Sequence, residues 1–466
     1  MRWLEWDRGR YPYLARVRWE KGGPPLVVVQ DRAQTEELLL ALDPASGTWT
    51  RLLVENDPAW LNLHPDFPRW MPDGSGFLWF TERNGAPEVE LRRPSGTLAE
   101  SLVPPGGFVR LAGIDPGSGW VYYTATRVDP TQDRVYRVRP GSRPVEVPVQ
   151  VDRPASLSAE LAADGSALVV VARGEGGVRQ SIHRPDGTPI ASLPSVSVEP
   201  PFRPAVEVRR VGARGLWASI VRPRDFRPGR RYPVLVEVYG GPQHLGPVLR
   251  QDKVLSQWKA DQGFVVVSVL NRGATMRLGR TFERAIKGDL AGPTLDDQVD
   301  GLRALAAEFP EMDLARVGVS GWSFGGYMAA LAVLRRPDVF HAAVAGAPVT
   351  DWLDYDTHYA ERYLGLPAAA PGAYERSSLL FWVKEPSRPL LLLHGTADDN
   401  VHLLHSLRLA DALFRAGAPA TFVPLAGTTH LPADPPTREA LLRAELAFLR
   451  RGLARPGGEG APEVRP

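Results

Sequence analysis

Residues 317–327 read VGVSGWSFGGY and decide the fold of the C-terminal half of the chain. An apolar strand enters this stretch, and small residues with helical spacing follow it from Met328 onward. The sequence Gly-x-Ser-x-Gly at such a junction, here Gly321, Ser323 and Gly325, is typical of a nucleophile elbow. Glycines two positions before and after the serine avoid clashes in a tight turn, and the amides of the new helix face an oxyanion formed there. The alternative is a glycine-rich turn that carries an ordinary serine.

The composition indicates a globular protein of about two domains. The chain has 466 residues, of which 44% are hydrophobic and 23% charged, and this length is ample for two hydrophobic cores. A net charge of +2 implies no nucleic-acid partner. The absence of cysteine excludes disulfides, thiolate metal sites and thiol catalysis. We see no signal peptide and no apolar run long enough to cross a bilayer, so we expect a cytoplasmic protein with no membrane partner.

The first 203 residues are predicted to be all-β. Short apolar or alternating runs recur between turn sequences such as Asn-Gly and Asp-Gly. The sequence Asp-Gly-Ser occurs at 73–75 and again at 164–166, each time before an apolar strand. This separation is about twice the length of a four-stranded propeller blade. We therefore predict a partial β-propeller of about four blades at 1–203, with a β-sandwich as the alternative.

The pattern changes after a linker rich in Pro, Ser and Val at 194–204. Predicted strands and helices then alternate, beginning with a helix at Val248–Ala260 and a strand at Phe264–Leu270. Alternation of this kind predicts a doubly wound, mostly parallel sheet covered on both faces. We assign 204–455 to an α/β-hydrolase domain and expect the Gly/Pro/Glu-rich tail at 456–466 to be disordered.

A serine nucleophile needs a base, and the base needs a carboxylate that orients it. In α/β hydrolases the chain order is Ser, then Asp or Glu, then His. The stretch LLLLHGTADDNV places Asp398 and Asp399 after a buried strand, and spacing alone does not choose between them. His430 lies between the last predicted strand and the last helix, where the base is expected. His402 and His405 have the i,i+3 spacing of a metal pair, but without a third ligand a solvated helix face is the better interpretation.

An oxyanion donor is expected in the loop after an earlier strand. Tyr239 begins the sequence YGGP directly after the predicted strand at 234–238. The two glycines allow a close approach to the site, and the phenol could donate a hydrogen bond alongside the Phe324 amide. A packing tyrosine at a strand end is an equally good interpretation from the pattern alone.

Three motifs together resemble the prolyl oligopeptidase superfamily, serine peptidase family S9, and within it the dipeptidyl peptidase IV branch. They are GWSFGGY at 321–327, YAERYLG at 359–365 and HGTADDNVH at 394–402. Tryptophan directly before the nucleophile is typical of that branch. The resemblance covers 206–452 well and 1–200 loosely.

The resemblance implies a role for each matching position. Ser323 would be the nucleophile, His430 the base and Asp398, the first of the two aspartates, the orienting acid. Tyr239 and the Phe324 amide would form the oxyanion hole. No metal or organic cofactor is implied.

The resemblance also implies a small apolar pocket for a proline-like residue, with Asn400 binding a substrate carbonyl. The walls of this pocket would be formed by Phe324, Val349, Trp352, Tyr355, Tyr359 and Val401. Aromatic walls suit a flat pyrrolidine ring. From spacing alone, the three aromatic residues between 352 and 359 are better explained as a helix face packed into a core.

The sequence departs from the family in three respects. Phe324 stands where tyrosine is usual, and threonines replace the acidic and glycine neighbours usual around His430. The family's propeller has seven or eight blades, against about four here. The earlier blades normally carry paired glutamates that bind the substrate's amino terminus. Only Glu36-Glu37 could correspond to them before the linker, and a solvated strand end is the better interpretation.

Three functions remain open from the sequence. The first is a serine peptidase that releases Xaa-Pro or Xaa-Ala dipeptides from peptide N-termini through an acyl-enzyme. The second is a related acylaminoacyl peptidase, endopeptidase or esterase, since the amine anchor is not found. The third is an inactive truncated fragment that begins in mid-propeller. The expected partner is a peptide substrate, and open propeller edges also favour a homodimer.

Overall fold

The computed structural model describes residues 5–126, 132–151, 154–174, 177–244 and 253–454. The tail predicted to be disordered and the first part of the helix predicted at 248–260 lie outside these residues. Two compact units make up the chain: Met1–Pro201 with Met276–Arg284, and Phe202–Thr275 with Ala285–Pro466. No helix in the described part of the chain is long and apolar enough to cross a membrane.

The first unit contains four antiparallel sheets of four strands each, and each sheet is formed by four consecutive strands of the chain. This arrangement agrees with the predicted all-β half. The strands are β1 (Tyr13–Arg18), β2 (Leu26–Gln30), β3 (Glu36–Leu42), β4 (Trp49–Asn56), β5 (Arg69–Trp70), β6 (Phe77–Thr81), β7 (Glu88–Arg92), β8 (Leu98–Val103), β9 (Phe108–Ile114), β10 (Val121–Ala125), β11 (Arg134–Val138), β12 (Val145–Glu146), β13 (Ala155–Leu161), β14 (Leu168–Gly174), β15 (Gly177–His183) and β16 (Pro189–Leu193).

The repeated Asp-Gly-Ser sequence forms the first hairpin turn of two of these sheets. Gly74 and Gly165 have φ of 74° and 75°, a left-handed conformation that favours glycine. Asp73 Oδ1 accepts hydrogen bonds from the Ser75 amide and hydroxyl at 3.0 and 2.7 Å, and Asp164 makes the same turn. One complete sheet lies between the two turns in sequence, which explains the spacing of the repeat.

Residues 276–284 fold as part of the first unit, although the sequence on both sides of them belongs to the second. Met276 packs against the apolar cluster that includes Phe108. The two carboxylate oxygens of Glu283 each accept a hydrogen bond from Asn62 Nδ2 at 2.9 Å. No sequence pattern predicted this excursion.

The second unit is built on one eight-stranded sheet with the order β17-β18-β20-β19-β21-β22-β23-β24. Six neighbouring strands of this sheet, β20, β19, β21, β22, β23 and β24, pair in parallel. At one edge, β17 pairs antiparallel with β18, and β18 pairs antiparallel with β20. The mostly parallel α/β-hydrolase sheet is therefore confirmed. The strands are β17 (Val206–Val211), β18 (Leu216–Val221), β19 (Tyr232–Glu237), β20 (Val265–Val269), β21 (Met312–Trp322), β22 (Ala342–Gly346), β23 (Leu390–Gly395) and β24 (Ala420–Leu425).

Helices cover the second unit's sheet and carry the segments between its strands, while α2 and one short 3₁₀ turn belong to the segment 276–284. The α-helices are α1 (Val254–Asp261), α2 (Arg280–Glu283), α3 (Gly292–Glu308), α4 (Phe324–Arg335), α5 (Thr357–Leu364), α6 (Pro371–Ser377), α7 (Leu379–Trp382), α8 (Leu404–Arg415) and α9 (Pro435–Gly452), and short 3₁₀ turns lie at Met276–Leu278, Arg284–Ile286 and Trp352–Asp354. The loops that follow β19, β21, β22, β23 and β24 leave the carboxyl ends of parallel strands. Such ends meet at one edge of a sheet, where ligands bind in open α/β folds.

Candidate active site

The nucleophile turn joins β21 to α4, with Ser323 between them. Its φ of 60° and ψ of −121° are strained for a residue with a side chain. A Cβ on Gly321 would lie 2.4 Å from the Val238 carbonyl oxygen, and one on Gly325 would lie 2.3 Å from the same atom. Only glycine fits at both positions. The Phe324 amide stands at the first position of α4, where helix geometry gives it no intrahelical acceptor.

The loops after β23 and β24 bring a carboxylate and an imidazole together. His430 Nδ1 lies 2.8 Å from Asp398 Oδ2. The Asp398 side chain is fully buried, and its other oxygen accepts the amides of Asn400 and Val401 at 3.0 and 2.9 Å. These bonds fix the carboxylate toward His430. Asp399 is exposed. The structure therefore distinguishes the two aspartates, which sequence spacing alone does not.

A hydrogen bond also joins the loop of His430 to the nucleophile turn. Trp322 Nε1 donates to the His430 carbonyl oxygen at 2.7 Å, and Ser323 is the next residue. Within the described residues, the Ser323 hydroxyl makes no hydrogen bond to the His430 ring. The structure thus joins Asp398 to His430 and brings the loop of His430 to the turn, while Ser323 and the His430 ring are not joined by a hydrogen bond. Catalytic hydrogen bonds often shorten only when substrate is bound.

His394, which was not predicted from the sequence as a site residue, contacts the buried side of Asp398. Its Nε2 is 2.7 Å from the Val401 carbonyl oxygen and 3.3 Å from Asp398 Oδ2, and its Nδ1 is 2.7 Å from Ser406 Oγ. Burial lowers the pKa of His394, which favours the neutral ring. Because acceptors face Nε2, that nitrogen carries the proton. A histidine at the end of the wholly apolar strand LLLLHG was the available signal.

Tyr239 follows β19, and its ring lies 4.4 Å from the His244 ring and 6.2 Å from the Phe324 ring. Burial, with a smaller contribution from Tyr355, raises the pKa of the Tyr239 phenol. The phenol is therefore protonated at neutral pH and can donate a hydrogen bond. Among the described residues its hydroxyl has no hydrogen-bond partner.

Four aromatic side chains gather beside the turn. Trp352 lies 5.5 Å from Phe324, 5.7 Å from Tyr355 and 5.9 Å from Tyr359, measured between ring centroids. Trp352 belongs to a short 3₁₀ turn, Tyr355 follows it, and Tyr359 lies in α5. A single helix face is thus not the explanation for their spacing. Val349 and Val401, the two aliphatic residues predicted for the pocket, are both buried.

Asn400 lies at the edge of this aromatic group. The Tyr355 hydroxyl donates to Asn400 Oδ1 at 3.1 Å, which leaves the amide nitrogen of Asn400 to donate elsewhere. A substrate carbonyl is the kind of acceptor that this nitrogen could bind.

A cavity of about 670 Å³ adjoins the turn, with Tyr239 and Trp322 in its lining. Its wall holds a buried group of three charges: Lys259 Nζ lies 2.7 Å from Glu445 Oε1 and 3.2 Å from Glu237 Oε1. Burial alone would raise the pKa of Glu237, but the nearby lysine charges outweigh it and the pKa is lowered. Burial alone would lower the pKa of Lys259, but the two carboxylates outweigh it and the pKa is raised.

Two predicted surface positions are buried instead. His405 is 1% exposed, its Nδ1 accepts the Thr350 amide at 3.1 Å, and burial lowers its pKa to about 4. Glu37 is 4% exposed and accepts a hydrogen bond from Gln30 at 3.0 Å. The expectation of solvated positions is wrong for both, because each carries hydrogen bonds inside its own unit. His402 is exposed as expected.

Two family models match the chain. The prolyl oligopeptidase family matches residues 251–455, and the N-terminal region of dipeptidyl peptidase IV matches residues 3–176. This chain belongs to the prolyl oligopeptidase family. The second match places it in the dipeptidyl peptidase IV branch of that family.

Curated relatives support the same assignment. Dipeptidyl peptidase 8 of Mus musculus is 31% identical over 445 residues, covering 84% of this chain and 50% of the relative. Dipeptidyl peptidase 8 of Homo sapiens is 43% identical over 211 residues, covering 44% of this chain and 23% of the relative. The chain spans half or less of the length of these family members.

Solved structures of the family have the same fold. The crystal structure of Porphyromonas gingivalis dipeptidyl peptidase 4 is similar with a TM-score of 0.83 and 25% identity, covering 94% of this chain and 63% of that one. A crystal structure from Bacteroides ovatus gives a TM-score of 0.84 at 23% identity, covering 94% of this chain and 66% of that one.

Proposed function

We propose that this chain is a serine peptidase that releases Xaa-Pro or Xaa-Ala dipeptides from peptide N-termini. The observation that carries the proposal is the His430–Asp398 hydrogen bond of 2.8 Å, in loops that leave the same sheet edge as Ser323. Family membership supports it, as does the name dipeptidyl peptidase that the relatives bear.

The proposed reaction passes through an acyl-enzyme. Ser323 Oγ attacks the scissile carbonyl while His430 Nε2 takes its proton, and Asp398 stabilises the imidazolium that forms. The Tyr239 hydroxyl and the Phe324 amide donate to the oxyanion. His430 then protonates the leaving amine, and a water molecule activated by the same histidine hydrolyses the ester.

The proposed specificity comes from the aromatic group beside the turn. Phe324, Trp352 and Tyr359 present apolar ring surface to the residue before the cut bond, which favours the flat ring of proline or a small side chain. The free amide nitrogen of Asn400 would bind the preceding carbonyl.

Hydrolysis of Gly-Pro-p-nitroanilide by the full chain tests the proposal. We expect turnover that Ser323→Ala abolishes, together with labelling of Ser323 by a fluorophosphonate probe. Unchanged hydrolysis by Ser323→Ala would show that another group performs the chemistry. A folded wild-type sample that neither labels nor turns over would instead favour the inactive-fragment hypothesis.

A second candidate is an acylaminoacyl peptidase, endopeptidase or esterase with the same catalytic residues. Glu36 and Glu37, the pair before the linker that could correspond to the amine anchor, both accept hydrogen bonds inside the first unit. Glu36 accepts from Arg10 at 2.7 Å and Glu37 from Gln30. Comparing free and N-acetylated Ala-Pro-p-nitroanilide separates the candidates, because an exopeptidase requires the free amine. Faster cleavage of the acetylated substrate would favour the second candidate.

A homodimer is a further proposal. Leu404, Leu407 and Phe414 of α8 are exposed, and β24 is the outer strand of the eight-stranded sheet, so an apolar surface adjoins an open sheet edge. Light scattering after size exclusion measures the mass directly, and a monomer at micromolar concentration would contradict the proposal. The cytoplasmic location expected from the sequence stays a prediction.

A further inference from the structure

The loop that carries Tyr239 is held by a buried amide outside the predicted site. Gly240, the next residue, has φ of 76°, and its carbonyl oxygen accepts a hydrogen bond from Asn271 Nδ2 at 2.9 Å. Asn271 is fully buried, in the loop after β20. We propose that Asn271 is a positioning residue that fixes the Tyr239 phenol at the oxyanion site. This inference rests on the proposed function.

The orientation of the Asn271 amide is fixed by its neighbours. Gln298 Nε2, on α3, donates to Asn271 Oδ1 at 2.9 Å, so the oxygen faces the helix and the nitrogen faces Gly240. That nitrogen also donates to the Arg272 carbonyl oxygen at 2.8 Å. Gln298 is itself 2% exposed and donates to the Val269 carbonyl oxygen at 2.9 Å. The chain of hydrogen bonds therefore ties the loop to a rigid helix.

The loop has little space in which to move while this bond is intact. A Cβ on Gly241 would lie 2.7 Å from Phe324 Cγ and 2.9 Å from Tyr239 Cε1, so the backbone packs directly against both rings. The His244 amide donates to the Ala274 carbonyl oxygen at 2.7 Å, a second tie between the two loops. Oxyanion donors act when they lie about 2.7–3.1 Å from the position that the oxyanion occupies, so a displacement of a few tenths of an ångström weakens them. A shift of the Gly240 backbone would move the phenol of Tyr239, the preceding residue, by a comparable amount.

Kinetics of the full chain with Gly-Pro-p-nitroanilide test the inference. Tyr239→Phe should lower kcat by about 10²-fold, the usual effect of losing one oxyanion donor. Asn271→Ala should lower kcat about tenfold, since the loss of one hydrogen bond is worth a factor of that order, with KM changed less than about twofold. In the Tyr239→Phe background, Asn271→Ala should lower kcat by less than about twofold, because the donor that it positions is already absent.

Gln257→Ala is the matched control. Gln257 is a fully buried amide of the same unit that also makes three hydrogen bonds, to Ala205, Arg222 and Asp261. None of them reaches the Tyr239 loop. We expect this variant to lose similar thermal stability and to keep wild-type kcat, which separates positioning from general destabilisation.

The outcomes are distinguishable. Wild-type kcat in Asn271→Ala, or a tenfold fall that persists in the Tyr239→Phe background, overturns the inference and leaves the proposed function intact. An equal kcat loss in Gln257→Ala also overturns it. Hydrolysis retained by Ser323→Ala overturns the proposed function, and the Asn271 inference with it.

Discussion

Replacing Lys259 by methionine should destabilise the second unit strongly. Lys259 is 7% exposed, and its ammonium lies 2.7 Å from Glu445 and 3.2 Å from Glu237. Methionine has a similar volume and removes the positive charge that contacts both carboxylates. Removing one member of such a buried group costs about 3–5 kcal/mol. For a unit of this size, that corresponds to a fall in Tm of roughly 6–20 °C.

The pH dependence gives the prediction its sign. In the wild type the pKa of Glu237 is lowered on folding. Its ionised form therefore stabilises the fold at any pH above the pKa of the unfolded chain, and this stabilisation is lost as pH falls through the pKa of the folded chain. In Lys259→Met, the nearest positive charge is lost and only Lys253 remains to oppose burial, so the pKa of Glu237 should rise. Protonation then relieves the buried charge, so the Tm deficit of the variant should shrink as pH falls from 8 to 5.

Differential scanning calorimetry at both pH values measures the effect. The triple variant Lys259→Met, Glu237→Gln, Glu445→Gln removes all three charges and should regain most of the lost Tm. Arg415→Met is the control: it breaks a surface ion pair with Asp411, in which both side chains are more than half exposed, and should leave Tm unchanged. A single variant within 2 °C of wild type at pH 8, or a deficit that grows as pH falls, would refute the reasoning.

Three further predictions concern the site. Asp398→Asn should lower kcat by about 10³–10⁴-fold, whereas Asp399→Asn, at the exposed neighbouring position, should keep a kcat near that of the wild type. Steady-state kinetics of both variants measures the difference, and equal losses of kcat would contradict the geometry. Tyr355→Phe removes a hydrogen bond to the residue proposed to bind the substrate carbonyl, so KM should rise about two- to fivefold with kcat retained; a fall in kcat alone would argue against a binding role. Gly326→Ala would place a Cβ 2.3 Å from the Gly346 carbonyl oxygen, and thermal unfolding should show a loss of roughly 1–3 kcal/mol; an unchanged Tm would mean that α4 and β22 can move apart to admit the methyl group.

The parts of the site that follow from local rules could be predicted from the sequence. The elbow sequence predicts Ser323 because such a turn requires glycine on both sides, and the Val238 carbonyl oxygen is the atom that excludes a side chain there. The chain order of a catalytic triad predicts His430, and the structure places its Nδ1 2.8 Å from Asp398 Oδ2. Choosing between Asp398 and Asp399 from spacing was not possible, because the choice depends on which carboxylate turns inward to two loop amides.

The residues that sequence reasoning missed act through distant partners. In the sequence, His394 and Asn271 are ordinary polar residues near strand ends. Their orientation is set by hydrogen bonds to residues on other elements, His394 to Ser406 on α8 and Asn271 to Gln298 on α3. His405 was misread because a polar residue on a helix is usually solvated, while here an amide on another loop satisfies it. The helices α5 to α7 are too short for a periodic pattern, and α5 begins at an Asp356 cap that becomes visible only with the turn before it.

The assignment of segment 276–284 to the first unit limits how this protein can be divided into separately expressed fragments. A recombinant fragment that starts at the linker near residue 204 would retain these nine residues but lose the sheets in which Met276 is packed and Glu283 is bonded to Asn62. Such a fragment would carry an apolar side chain and a carboxylate whose native surroundings were deleted, in the middle of its sequence. Expression of the hydrolase half alone should therefore give a less soluble product than co-expression with residues 1–201.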